Sequence, residues 1–496
     1  MKKIIYSFII IFTAGILLTS CEKDFLATYP TDAVSANAVT LTTANMWASI
    51  NGIHRRMYYR FEEQGLGGIG SWMIQMDQSG EDLVQNASQW YRQIYRWEAQ
   101  ANPTHYYNYF VWRMFYQYIA NVNILINQGE NAVGPQTEKD AIIGQALVYR
   151  AWSHFNIVRV YAKRYEPGGA NSQLGIPYML ENLTEGQTRN TVAEVYTNIL
   201  ADLDAAIVKL AGFNAPNKSH ITVDAAKGIK ARVALTMGNY ALAAQLAAEV
   251  KANYELMDMG TYANGFRINS QGIDEFIWAS QITSVDQNDK WAAYGAYVSR
   301  NMSSSAIRSN PYSINSTLYA KISATDVRKG LWSPDGKHSN LQAGVTLLSS
   351  HKKFPYTNQK FIAVDNADSR VDVPLMRAAE MYLIEAEAKA RQGQDAAAAQ
   401  VLYDLVITRD PDYTKSTNTG AALIDEIMTQ RRVELWGEGF RWLDLKRLNL
   451  PLDRTGANHQ LSLAAVMEVS TTDNRWTWLI PQKEMDSNPN MVQNDL

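Results

Sequence analysis

The chain has 496 residues, with 46 basic and 49 acidic side chains and an apolar fraction of 46%. This composition is typical of a folded chain with a large core, and the lack of a basic excess argues against a nucleic-acid partner. A single cysteine excludes an intrachain disulfide framework, a cysteine-rich zinc site and a CxxC redox site.

The N-terminus has the features of an export signal. A basic start precedes an apolar stretch over 4–18, which is shorter than the roughly 20 residues that a membrane-spanning helix needs. This pattern predicts a secretory signal over 1–20. Leu18-Thr19-Ser20-Cys21 resembles a bacterial lipobox, which predicts cleavage before Cys21 and lipidation of its thiol. The alternative is a plain signal peptide followed by an accidental cysteine. We interpret 21–41 as a lipid anchor and tether.

Helical patterns dominate the chain after the tether. Apolar spacings of three and four residues predict helices over 42–61, 103–127, 138–161 and 191–210. The last of these begins with Thr191-Val192-Ala193-Glu194, which has the pattern of a capping box. The second is dense in aromatic side chains, and we expect most of them to pack in the core.

Two further helix pairs share one pattern. They are predicted over 222–237 with 240–253, and over 374–391 with 395–409. Gly238 and Gly393 stand at the two turns, and alignment on these glycines matches several alanines, namely Ala231 with Ala386 and Ala243-Ala244 with Ala398-Ala399. The pattern resembles hairpins of the tetratricopeptide type, because small residues let two helices approach closely. A generic alanine-rich hairpin is the equal alternative.

Two irregular segments are rich in tryptophan and tyrosine. One covers 62–101, and the other is an insertion over about 257–372, between the two helix pairs. Long irregular segments on a helical frame commonly carry function. Tyrosine and tryptophan combine an apolar ring with a polar tip, which suits a wet binding surface. We therefore expect these segments to form the ligand face.

The chain lacks the common catalytic and metal-binding motifs. A GxGxxG run at 65–70 has no strand before it, so we interpret it as a flexible loop rather than a dinucleotide site. There is no HExxH and no GxSxG, and the seven histidines have no ligand spacing. We predict that the chain is not an enzyme, and we assign it no catalytic residue, no metal site and no cofactor.

Two acidic clusters have different interpretations. Asp77, Glu81 and Asp82 lie in the first irregular segment, where they have four alternatives: solvation, contacts to sugar hydroxyls, a glycosidase pair, or calcium binding without EF-hand spacing. A second cluster alternates with basic residues on adjacent helical turns, which predicts ion pairs within the helical frame. Its acidic members are Glu434, Glu438 and Asp444.

Three C-terminal runs resemble signatures of the SusD/RagB family. The run RRVELWGEGFRWLDLKR at 431–447 is similar to its R-x-E-L-x-x-E-G-x-R-x-x-D-L-x-R pattern. The run IPQKEMDSNPNMVQN at 480–494 resembles its closing I-P-x-x-E-x-x-x-N-P-x-x-x-Q-N pattern, and LMRAAEMYLIEAEA at 375–388 resembles its R-x-A-E-x-Y-L-x-x-A-E-A helix. The acidic residues after Cys21 resemble a surface-export signal of Bacteroidetes lipoproteins.

This resemblance implies a fold, a location and a function. The fold would be mainly α, with tetratricopeptide-like hairpins that support a loop-rich ligand-binding face and minor β structure, in one domain over 42–496. The protein would be a lipoprotein of the outer membrane, at the cell surface, that binds oligo- or polysaccharide without cleaving it. It would deliver the ligand to a SusC-like TonB-dependent transporter for nutrient uptake. The alternatives are a RagB-type peptide-binding protein, a glycoside hydrolase and a protein–protein scaffold.

The resemblance also directs the choice of ligand-binding residues. Starch-binding members use aromatic rings from the early loop and a tyrosine from the mid-chain insertion. By region, the predicted ligand-binding residues are Trp72, Asp77, Asp82, Trp90, Tyr91, Trp97, Trp291, Tyr294, Tyr297 and Trp332. For each aromatic residue among them, core packing is the alternative.

Overall fold

The computed structural model describes residues 36–285 and 288–496, so the signal over 1–20, Cys21 and the tether up to residue 35 lie outside the described residues. The helices are α1 (Ala36–Val39), α2 (Thr43–Arg56), α3 (Gly68–Gln78), α4 (Arg92–Tyr95), α5 (Tyr106–Gln128), α6 (Gln136–Tyr161), α7 (Val192–Lys209), α8 (Val223–Met237), α9 (Tyr240–Lys251), α10 (Met259–Asn264), α11 (Gly295–Val298), α12 (Ser305–Ser309), α13 (Ser316–Ala320), α14 (Ala378–Arg391), α15 (Asp395–Val406), α16 (Gly420–Glu434), α17 (Arg441–Leu448), α18 (Leu461–Ala464) and α19 (Gln482–Ser487). Within the described ranges, no helix combines the length and apolar character needed to cross a membrane.

The long helices pack side by side in a continuous row. Helix α5 packs on α6, α6 on α7, α7 on α8 and α8 on α9, after which α9 packs on α14 and α14 contacts α15 and α16. The two predicted pairs, α8–α9 and α14–α15, are therefore neighbours. Gly238 and Gly393 turn the chain with φ of 75° and 72°, which favours glycine because an L side chain is strained there. The mainly helical fold class is confirmed.

Local capping signals locate helix starts accurately. The Thr191 hydroxyl accepts from the Glu194 N–H at 3.2 Å, and the Glu194 carboxylate accepts from the Thr191 N–H at 2.8 Å. This is the capping box that the sequence predicts, and α7 begins at the next residue.

The strands are short: β1 (Leu83–Val84), β2 (Phe276–Ser280), β3 (Ser313–Ile314), β4 (Trp332–Ser333), β5 (Thr357–Asn358), β6 (Val373–Arg377), β7 (Leu452–Asp453) and β8 (Glu468–Val469). They form an antiparallel sheet of order β1-β3-β5-β4 and two pairs, β2-β6 and β7-β8. Leu83 pairs with Ile314, so the first sheet joins the two irregular segments.

The predicted helix over 374–391 is wrong in its first turn. Residues Val373–Arg377 form β6, which pairs with β2, and helix α14 begins at Ala378. The N–H of Ala378 donates to the carbonyl oxygen of Glu275 at 2.8 Å, so the pairing with the distant strand continues up to the helix start. A partner this far away in the chain overrides the local pattern.

The interpretation of 65–70 as a flexible loop is also wrong. Helix α3 begins within the run and is buried along its whole length. A Cβ on Gly67 would overlap the carbonyl oxygen of Ala292, and a Cβ on Gly70 would lie 2.7 Å from the Cβ of Tyr294. These glycines permit close packing between the two irregular segments.

The ion pairing predicted for the acidic residues of the run 431–447, which we call the C-terminal signature, is confirmed, but only Asp444 pairs with basic residues of the same run. Asp444 accepts from Arg431 Nε at 2.7 Å and from Arg447 Nε at 2.8 Å. Glu434 accepts from Arg377 Nη1 at 2.8 Å, and Glu438 accepts from Lys360 Nζ at 2.7 Å. The signature residues therefore form a buried ionic framework beneath the irregular segments.

Candidate functional site

The structure places six of the ten predicted ligand-binding residues in the core, with 6% exposure or less; they are Trp72, Tyr91, Trp97, Tyr294, Tyr297 and Trp332. Trp97 packs edge-on against Trp476 at 4.8 Å between ring centroids, and its Nε1 donates to the carbonyl oxygen of Ser79 at 3.0 Å. Trp332 packs in the same way on Trp436. A ligand cannot stack on these covered rings, so their assignment is corrected to core packing.

Two of the three buried tyrosines, Tyr91 and Tyr297, hold the segment between α2 and α3, which we call the 57–67 loop. Tyr91 Oη donates to the carbonyl oxygen of Gly65 and Tyr297 Oη donates to that of Gln64, each at 2.9 Å. Tyr294 Oη donates to the carbonyl oxygen of Gly437 at 2.5 Å. Burial raises the pKa of Tyr91 and Tyr297 well above the usual value, so both keep the proton that they donate.

The predicted acidic residues are buried and partnered. Asp82 accepts from Arg432 Nε at 2.9 Å, and Glu81 accepts from Arg441 Nε at 2.7 Å. Asp77 accepts from the N–H of Gly439 at 2.9 Å, and burial raises the pKa of its carboxyl to about 8. The assignment of Asp77 and Asp82 to ligand contact is therefore corrected, since both carboxyls bind the C-terminal signature.

No acidic or histidine cluster suited to a metal occurs in the described part of the chain: residues 36–285 and 288–496 contain no group of three or more His, Cys, Asp or Glu side chains that could hold an ion. In the predicted acidic cluster, Asp82 pairs with Arg432 and Oε1 of Glu81 pairs with Arg441. Oε2 of Glu81 is buried and has no hydrogen-bond partner among the described residues.

Two of the predicted aromatic residues remain accessible. Trp291 is 43% exposed, and Trp90 is half-buried at the edge of the core. Tyr106 is 38% exposed, and the sequence analysis missed it because it placed the aromatic residues of this helix in the core. Tyr106 is the first residue of α5. We call Trp90, Tyr106 and Trp291 the aromatic surface.

The 57–67 loop adjoins the chain segments that carry these three residues. Gln64 Nε2 donates to the carbonyl oxygen of Trp291 at 3.3 Å. The next residue, Gly65, packs closely on two aromatic side chains: a Cβ on it would lie 3.0 Å from the Trp90 ring and 3.0 Å from the Oη of Tyr107. The centroid of the Tyr107 ring lies 4.3 Å from that of the Tyr106 ring. Trp291 and Trp90 therefore adjoin consecutive loop residues, Gln64 and Gly65 respectively, and Tyr106 packs on the neighbouring Tyr107.

Polar groups surround the aromatic surface. Arg60 of the 57–67 loop pairs with Asp289 at 3.5 Å, and Lys290 Nζ lies 4.9 Å from the Trp291 ring centroid. Burial, together with the nearby Glu63 carboxylate, raises the pKa of Tyr106 above its usual value. Apolar ring faces beside amide and charged groups can hold a ligand that has apolar faces and polar edges.

The fold and this surface define a class of protein: a frame of helical hairpins on which irregular segments form an exposed aromatic surface. A family model described as the SusD family matches residues 319–496. A second model, described as starch-binding and associating with the outer membrane, matches residues 37–235. The two matches lie in different parts of the chain, and together they confirm its resemblance to the SusD family.

Solved structures share the fold. A putative sugar binding protein of Bacteroides vulgatus is 24% identical, with a TM-score of 0.76 over 91% of this chain and 98% of that one. A SusD-like carbohydrate binding protein of the same species is 22% identical, with a TM-score of 0.78 over 92% and 98%. A laminarin binding SusD-like protein is 20% identical, with a TM-score of 0.69 over 91% and 99%.

Curated relatives show the same resemblance. A SusD-like protein of Bacteroides ovatus is 22% identical over 88% of this chain and 81% of its own length. A SusD-like protein of Formosa agariphila is 30% identical, but the match spans 25% of this chain and 24% of that protein.

Proposed function

We propose that this protein binds neutral oligo- or polysaccharide at the aromatic surface and does not cleave it. The observation that carries the proposal is that two accessible tryptophans adjoin consecutive residues of one loop: Trp90 lies against Gly65, and the Trp291 backbone accepts from Gln64. A sugar ring has apolar C–H faces and hydroxyl edges, so it stacks on an indole while nearby amide and charged groups bind its hydroxyls.

The similar proteins support this ligand class. One structural neighbour is described as laminarin binding, another as carbohydrate binding, and one matching family model is described as starch-binding. Binding residues are commonly on loops, and loops vary most among related proteins, so we propose the class of ligand and leave the particular glycan to the experiment.

The state of the carboxylates supports binding without hydrolysis. A glycosidase needs two carboxyl groups about 5–10 Å apart across the scissile bond, one of them able to give a proton. Glu81 and Asp82 are instead engaged by Arg441 and Arg432. Asp77 has a pKa of about 8, but its carboxyl is buried and binds the backbone N–H of Gly439, so it does not reach a ligand at the surface. Release of reducing ends from a bound glycan would contradict this part of the proposal.

We also propose the location and the partner. Lipidation of Cys21 would anchor the protein at the outer membrane surface, because several acyl chains on one residue bind a bilayer firmly. A SusC-like TonB-dependent transporter would then receive the ligand for uptake. A Cys21→Ser variant should leave the membrane fraction, and affinity purification from native membranes should recover a large barrel transporter.

Calorimetric titration with neutral oligosaccharide panels tests ligand binding. We expect Trp90→Ala and Trp291→Ala to weaken binding about three- to tenfold, since an aromatic stacking contact contributes about 0.5–1.5 kcal/mol. Tyr240→Ala on α9 is the control, because Tyr240 is a half-buried ring on a different part of the frame. The proposal would be overturned if Trp90→Ala and Trp291→Ala bound the oligosaccharides as tightly as Tyr240→Ala does. It would also be overturned if the protein bound peptides but no glycan.

A further inference from the structure

A separate open cleft lies beside the aromatic surface. It has a volume of about 470 Å³ and is bounded by α5, the segment around 177–187 and the C-terminal helix α19. Clefts of about 300–1,000 Å³ are the usual size of small-molecule sites. Its floor and walls include Tyr109, Trp112, Tyr116 and Pro177.

The aromatic wall of this cleft is fixed by its own hydrogen bonds. Trp112 Nε1 donates to the Glu484 carboxylate at 3.2 Å, and the other carboxylate oxygen accepts from Asn488 Nδ2 at 3.0 Å. Tyr116 Oη donates to the carbonyl oxygen of Pro177 at 2.8 Å. The polar tips are therefore held by the protein, which orders the rings before any ligand arrives.

The charges that line the cleft balance. Its two basic side chains, Arg113 and Lys483, are matched by Glu185 and Glu484. Lys483 Nζ lies 4.3 Å from the Tyr109 ring centroid, and Arg113 is ion-paired with Glu62. A cleft of balanced charge and ordered aromatic rings suits a neutral ligand that presents apolar faces and hydrogen-bonding edges.

The cleft and the aromatic surface adjoin each other along α5 and the 57–67 loop. Tyr106 belongs to the aromatic surface, and Tyr109 lines the cleft three residues later, which is about 4.5 Å along the helix. Residues at this spacing are neighbours on a helix surface. The Arg113–Glu62 pair also links the cleft to the 57–67 loop.

We propose that the cleft is a second subsite, continuous with the aromatic surface, so that the protein selects neutral oligosaccharides long enough to occupy both. This inference rests on the proposed function and adds the substrate class to it. Short oligomers would bind at Trp90 and Trp291 alone, and longer ones would gain affinity from contacts with Tyr109 and the cleft rim.

Titration with laminari- and malto-oligosaccharides, from the disaccharide to the heptasaccharide, tests the inference. We expect affinity to rise with chain length in the wild type. Tyr109→Ala removes a half-buried ring from the cleft, and Leu183→Trp adds bulk at an exposed rim position that is 47% accessible. For the shortest oligomers that bind the wild type, both variants should have the same affinity as the wild type. For the longest oligomers, both variants should bind at least threefold more weakly than the wild type.

The control and the contrary outcomes separate the two proposals. Val208→Trp adds the same bulk at a 75% exposed position on α7 and should behave like the wild type. If affinity does not rise with length, or if both cleft variants keep the full rise, the second subsite is refuted while the function at Trp90 and Trp291 stands. If no oligomer of either series, and no other neutral glycan, binds the wild type, both proposals fail.

Discussion

Arg377 and Glu434 form an ion pair in the interior, with Nη1 of the arginine 2.8 Å from the glutamate Oε1 and neither side chain exposed. Burial by itself would raise the pKa of Glu434, but the guanidinium groups of Arg409, Arg377 and Arg328 lower it below its usual range. Arg377 also binds Glu275 and Glu438, so one cation joins the second irregular segment to the C-terminal signature.

Replacement of Arg377 by methionine should strongly destabilise the fold. The change leaves three buried carboxylates without one of their cations, and removal of one partner of a buried pair costs about 3–5 kcal/mol. Thermal unfolding checks the prediction. Lys337→Met is the control, because that side chain is 82% exposed in its pair with Asp335 and should leave the Tm unchanged. Equal Tm values for the two variants would contradict the role of the network.

An Asp77→Asn variant should gain stability relative to the wild type as the pH rises. The pKa of Asp77 is raised from 3.8 to about 8 by burial, so between these values the folded state holds a proton that the unfolded state has released. The wild type therefore loses up to about 1.4 kcal/mol for each pH unit in this window, and asparagine does not titrate. Urea unfolding of both proteins at pH 5 and pH 8 measures the difference between their free energies of unfolding. If the carboxyl of Asp77 had the same pKa in the folded and unfolded states, this difference would not change with pH.

Alanine substitution should have opposite effects at two glycines. Gly67→Ala places a methyl group on the carbonyl oxygen of Ala292, and something in the packed backbone must shift, which costs about 1–3 kcal/mol. Gly52 lies inside α2 with open space around it, so Gly52→Ala should stabilise the fold by about 0.5–1 kcal/mol. Differential scanning calorimetry of the pair checks the sign of each effect, and a loss of stability at both positions would contradict the packing argument.

Tyr294 and Trp291 should separate stability from ligand binding. Tyr294 is 3% exposed and its hydroxyl binds Gly437, so Tyr294→Ala should cost about 3–5 kcal/mol, as for other buried aromatic residues. Trp291 is 43% exposed, so Trp291→Ala should leave the Tm nearly unchanged and reduce glycan affinity. A stable Tyr294→Ala protein would show that this tyrosine is not a core residue.

Features that depend on neighbours in the chain could be predicted from the sequence. The capping box at Thr191 and the turns at Gly238 and Gly393 appear where they are expected, because capping and left-handed turns involve residues only a few positions apart. The ion pair of Asp444 with Arg447, three residues later on α17, also follows from alternating charges on adjacent helical turns. The partners of Glu434 could not be predicted in this way, because Arg377 and Arg409 lie outside its helix.

Accessibility of the aromatic rings could not be predicted in this way. Tyr91 is covered by Tyr107 and Tyr297, and the latter is more than two hundred positions away in the sequence. Trp90 directly precedes Tyr91 and keeps part of its ring exposed. Two adjacent residues of similar chemistry thus have different roles, because long-range contacts decide which ring is covered.

The sequence by itself determined the helical frame, the glycine turns and the C-terminal signature, since all three depend on local geometry or on a contiguous run of residues. Only the tertiary structure decided that Asp77 and Asp82 bind the signature and that Val373–Arg377 is a strand. It also decided that Trp90 and Trp291 adjoin the 57–67 loop and keep accessible surface. The physical reason is that burial and pairing depend on segments far apart in the chain, which packing alone brings together.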